Sequence, residues 1–117
     1  MSCLFNSLSY FIQEPSNNIR QKICDYIEQN KSLIEGIETK DIIKYEENNY
    51  IEKMRNTNTW GGAIEIQSGC NIWKCKIIVH NRRDKKNTKI EFIPVSGIIE
   101  NIFELEWTGG HYEPVRK

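Results

Sequence analysis

The apolar pattern of this chain changes period near residue 73. Before that point apolar residues recur every three or four positions, the spacing of one helix face; beyond it they alternate, the spacing of one strand face. Leu4, Leu8, Phe11 and Ile12 form the first helical stripe, which opens at about Cys3 and stops before Pro15, because the residue ahead of a proline avoids helical geometry. Ser16 reads as the N-cap of a second stripe, Ile19, Ile23, Tyr26 and Ile27, running to Asn30. Leu33, Ile34 and Ile37 around Gly36 predict a short helix and turn, and Tyr50, Ile51 and Met54 a helix within 41–55. Trp60-Gly61-Gly62 breaks it, and Ala63, Ile66 and Cys70 then mark the inner face of another short helix.

In the second half Trp73, Cys75, Ile77 and Val79 alternate with Lys74, Lys76, Ile78 and His80, as in a half-buried strand. Residues 81–87 form a polar, basic hairpin loop, and Ile90 and Phe92 continue into a second strand that ends at Pro94. A third strand is expected over 102–107 and a fourth over 111–115, after the Gly109-Gly110 turn. Helices followed by strands predict an α+β fold, N-terminal helices packed on a C-terminal, mainly antiparallel sheet. A length of 117 residues suits a single domain, 1–117.

The 16 basic and 16 acidic residues cancel, so no global field draws the chain to nucleic acid or an anionic membrane. The basic run 82–89 lacks the interleaved aromatics of a nucleic-acid groove. No apolar run approaches the roughly 20 residues of a membrane span, and the N-terminus has no signal-peptide pattern. The expectation is a soluble, cytoplasmic monomer, in a host cytoplasm if the source is a virus or an intracellular bacterium. Cys3, Cys24, Cys70 and Cys75 are too sparse for a disulfide scaffold and are expected as free thiols. Cys70, Cys75 and His80 fit no common zinc spacing, so neither metal nor cofactor is expected.

A reactive pair stands at the two ends of the chain. A thiol at a helix N-terminus lies beside unpaired N–H groups and the positive end of the helix dipole, which favour thiolate. Cys3 has that position, while His111 and Glu113, two apart in a strand, would project to one face, the carboxylate holding one ring nitrogen and the other facing Cys3. By spacing alone the pair fits a core thiol and a surface histidine better than a catalytic dyad. Glu65, in an apolar helical stripe, reads as a buried, paired structural carboxylate.

Taken in order, the motifs say more. Cys3-Leu4-Phe5 with Ser7, Leu8 and Tyr10, then Tyr50 and Met54 ahead of Trp60-Gly61-Gly62-Ala63-Ile64-Glu65-Ile66, then Trp107, Gly110 and His111-Tyr112-Glu113, resemble the ovarian tumour (OTU) family of cysteine proteases over nearly the whole chain. The resemblance implies a deubiquitinase that cleaves the isopeptide bond between a ubiquitin or ubiquitin-like C-terminus and a lysine. It makes ubiquitin or polyubiquitin the partner, Cys3 the nucleophile, His111 the base and Glu113 its orienting group, where the family usually has Asp or Asn. Backbone N–H groups of Ser2 and Cys3 would serve the oxyanion, and Trp60, Gly61 and Gly110 would line the groove for the ubiquitin tail. Glu104 and Glu106, on one strand face, could meet arginines of that tail. The family's Asp-Gly segment before the cysteine is missing here, so the alternative expectation is a truncated, catalytically impaired remnant that binds ubiquitin.

Overall fold

The computed structural model describes residues 3–29, 49–56, 61–83, 85–86, 88–109 and 111–115. Ser2, Trp60 and Gly110, the helix expected around Leu33, and positions 41–48 lie outside the described residues. The elements are α1 (Cys3–Ile12), α2 (Ser16–Glu28), α3 (Tyr50–Arg55), α4 (Ala63–Trp73), β1 (Cys75–Asn81), β2 (Lys89–Phe92), β3 (Asn101–Trp107) and β4 (Tyr112–Pro114). The strands form one sheet in the order β2-β1-β3-β4. Two pairings, β1–β2 and β3–β4, are antiparallel, and the central β1–β3 pairing is parallel.

The helical stripes become the core. Leu4, Phe5 and Leu8 of α1 and Ile19, Ile23 and Ile27 of α2 are buried, together with Ile66 and Cys70 of α4. Cys75, Ile77 and Val79 meet them from β1, with Leu105 from β3. Each such aliphatic side chain contributes about 1.5–3 kcal/mol when fully buried. Phe11 stacks on Phe103 at 4.8 Å, seating the end of α1 beside the sheet.

Two boundaries and one inner-face position differ from the sequence expectation. Ser16 is the first helical residue rather than the cap: Pro15 holds the cap position at φ −56° and ψ 140°, with no side-chain cap bond, and its carbonyl accepts Ile19 N–H at 3.2 Å. Trp73 closes α4 instead of opening β1. Its ring lies over Gly69, four residues back, which is a helical contact, and Lys74 then takes φ +50° and ends the helix. Ala63 is exposed, because it sits at the first position of α4, ahead of the buried stripe.

One buried charge ties the helices together. Arg20 is fully buried, yet it donates to the Met54 carbonyl at 2.6 Å and lies 4.2 Å over the Phe5 ring. A buried guanidinium persists only with such partners. Arg55 pins α3 to α2 from outside, donating to Asp25 at 2.7 Å, Glu28 at 2.6 Å and Gln21 at 2.8 Å.

Candidate active site

Cys3 opens α1, so its N–H is among those with no acceptor inside the helix. Its carbonyl accepts Ser7 Oγ at 2.8 Å, and the residue is partly exposed. The turn beneath it is fixed by the core, since the next two residues, Leu4 and Phe5, are buried. Gly61 presses on both: a Cβ there would stand 2.7 Å from Leu4 Cδ2 and 3.1 Å from the Phe5 ring. A larger residue at position 61 would have to displace Leu4 in the first turn of α1.

Glu65 holds the adjoining loop. Its buried carboxylate accepts Gly62 N–H at 2.7 Å and the Tyr50 hydroxyl at 2.5 Å, closing the start of α4 and linking it to α3. Accepting a backbone N–H from the residue before the helix is one half of a capping box. The structure agrees with a structural role for this carboxylate.

The opposite wall comes from β4, which packs against α1. His111 immediately precedes that strand, with Nε2 3.3 Å from Glu113 Oε1, and both side chains are more than half exposed, at 55% and 59%. The pair expected from alternation is thus formed, although His111 lies just outside the strand. Its carbonyl accepts Thr108 N–H at 3.0 Å, and Gly109 in the intervening turn takes φ +96°. Among the described residues no hydrogen bond runs between the Cys3 thiol and His111. Catalytic contacts of this kind are often long before substrate binds.

Tyr112 is the site residue that periodicity alone missed. Alternation turns it away from Glu113 and toward the helices. Burial raises its hydroxyl above the usual range, with further contributions from Cys3 and Glu65. Tyr112 pairs with Trp107 of β3 and packs against the core. Beside it opens an apolar cavity of about 230 Å³ lined by Ala63, Ile66, Val79, Phe92 and Trp107 among others. The signal in the sequence was an aromatic residue between two members of a proposed triad.

The remaining candidates fall elsewhere. Glu104 and Glu106 do share a strand face, but Glu104 meets His80 at 2.9 Å and Glu106 meets Arg82 at 3.3 Å, so each already has a cationic or imidazole partner. Cys70 and Cys75 are buried on the helix side of the sheet, whereas His80 projects from the other side. All four cysteines are free thiols. Burial pushes Cys24 up to about 11, and contact with Cys75 together with burial raises Cys70 as well.

Residues 2–112 match the family model for the OTU-like cysteine protease. The chain belongs to that family. Curated relatives include the ubiquitin thioesterase OTU1 of Mus musculus, 28% identical over 99% of this chain and 34% of its own length. The Gallus gallus protein of the same name is 29% identical over 99% of this chain and 38% of its own length. The chain thus spans little more than a third of these relatives. Among solved structures, an OTU domain in complex with ubiquitin superposes at a TM-score of 0.76, with 23% identity, 97% of this chain and 62% of that one. The viral OTU domain protease from Dera Ghazi Khan virus gives 0.73, with 22% identity, 97% and 72%.

Glu113, one residue beyond the matched range 2–112, is a methylene longer than an aspartate. Its extra methylene leaves the carboxylate within 3.3 Å of the imidazole. The longer side chain is therefore compatible with an orienting role.

Proposed function

We propose that this OTU-like chain is a monomeric cysteine deubiquitinase, with Cys3 as nucleophile, His111 as general base and Glu113 orienting the imidazole. The observation that carries the reading is the pairing of a helix-opening, accessible thiol with an accessible histidine–carboxylate pair on the strand packed against that helix. His111 takes the Cys3 proton, and the thiolate attacks the carbonyl of the modifier's terminal glycine. The carbon–nitrogen bond breaks as His111 returns that proton to the departing lysine amine. Water, deprotonated by His111, then cleaves the thioester and regenerates the thiol. The Cys3 N–H, free of helical partners, is an available oxyanion donor. Four free thiols fit a reducing, cytoplasmic setting.

Reaction with ubiquitin carrying a C-terminal electrophile tests this reading. A covalent adduct that disappears in Cys3→Ala supports it. Ubiquitin binding without an adduct indicates a binding remnant instead, and neither binding nor adduct overturns the ubiquitin reading altogether.

A further inference from the structure

The turn that delivers His111 is braced by a different hairpin. At the end of β1, Asn81 Oδ1 accepts Arg83 N–H at 3.1 Å, a local bond that bends the chain. The bend brings Arg82 N–H to the Trp107 carbonyl at 2.9 Å and the Arg82 guanidinium to Glu106 at 3.3 Å. Arg83 reaches further: a Cβ on Gly109 would stand 3.0 Å from Arg83 Cδ and 3.1 Å from Nη1. The Arg83 side chain, itself solvent-exposed, therefore lies across Gly109, whose φ is +96°.

Such a brace answers a weakness of the site. β4 is a three-residue edge strand, and the His111–Glu113 pair is more than half exposed at 3.3 Å. Exposed side-chain pairs contribute little to holding a ring in place. A base displaced by about 1 Å can cost roughly 100-fold in rate.

We propose that Arg83 is a positioning residue for the catalytic base, its side chain packing over Gly109 to hold the Thr108–Gly109 backbone ahead of His111. This rests on the reading of His111 as the base. The contact uses both the aliphatic stem and the guanidinium, so a lysine preserves part of it. An arginine that instead gripped substrate would act on binding and leave the turn unaffected.

The test compares the parent protein with Arg83→Ala, Arg83→Lys and His111→Ala in two assays: hydrolysis of ubiquitin bearing a C-terminal fluorophore, and the rate of Cys3 alkylation by iodoacetamide at pH 7. Arg83→Ala should lower kcat roughly tenfold with KM within about twofold, and slow alkylation toward the His111→Ala rate. Arg83→Lys should recover at least part of both. A raised KM with unchanged kcat, or no change in either assay while His111→Ala is inactive, overturns the proposal. If His111→Ala alkylates and turns over like the parent, the base assignment fails first. Alkylation needs no turnover, so it decides the matter even for a slow enzyme.

Discussion

The chain holds two histidines, and each stands against a glutamate. His80 meets Glu104 at 2.9 Å across two strands, with each side chain only 20% exposed. His111 meets Glu113 at 3.3 Å within one segment, with both more than half exposed. By geometry alone the first is the better pair, yet it projects from the sheet face opposite the buried Cys75, Ile77, Val79 and Leu105. The second is loose, local and beside the strand that packs on α1. The tight contact joins two strands of the sheet, while the loose one leaves its imidazole open to solvent. The thiols repeat the lesson, since Cys3 is accessible and Cys24, Cys70 and Cys75 are buried.

The sharpest way to break this contrast is to remove each imidazole in turn. His111→Ala should lower kcat by roughly 100-fold to 10,000-fold with little change in urea midpoint. His80→Ala should stay within a few-fold in kcat and lose about 1 kcal/mol of stability by denaturant titration. Reversal of these two outcomes would exchange the roles assigned to the pairs.

Cys3 is held by packing of the residues after it where His111 follows a turn, and Gly61→Ala probes that difference. Its Cβ would press on Leu4 at 2.7 Å, so a loss of about 1–3 kcal/mol in unfolding free energy is expected. Removing the carboxylates gives a smaller, split effect. Glu113→Ala should reduce kcat roughly tenfold without a stability change, and Glu104→Ala should cost about 1 kcal/mol with kcat intact.

The buried thiols give the gentlest effect. Cys24 is raised in the folded state to about 11 by burial, from 9.0. Its contribution is present in full below pH 9 and is lost as pH rises toward 11, because the unfolded chain releases its proton first. Stability should therefore fall above pH 9 by about 1.4 kcal/mol per pH unit for this thiol. Urea midpoints at pH 8 and pH 10.5 would measure it, and Cys24→Ala, less stable at pH 8, should show a shallower decline.

Local periodicity carried most of the helix and strand content, since Leu4, Leu8, Ile19, Ile23, Ile77 and Val79 all point where their spacing predicts. It failed at Trp73, whose apolar character fits both the end of a helix and the start of an alternation. The parallel pairing of β1 with β3 was also invisible, because periodicity says which side faces the core and nothing about which strand lies alongside. The burial of Arg20 was likewise invisible, because its contacts with Phe5 and Met54 come from two other helices. At the site, Cys3, His111 and Glu113 were legible as a pattern. Arg83 over Gly109 was not, since it joins two hairpins through a contact that no spacing encodes.

The central claim is that Cys3 and His111 act as one unit, with His80 outside it. The most direct measurement is the rate at which Cys3 forms a covalent adduct with a ubiquitin C-terminal electrophile, followed by intact mass, in the parent, His111→Ala and His80→Ala proteins. The account predicts rapid labelling in the parent and in His80→Ala, and labelling slowed at least tenfold in His111→Ala. Equal rates in the parent and His111→Ala, or loss of labelling in His80→Ala alone, would contradict it.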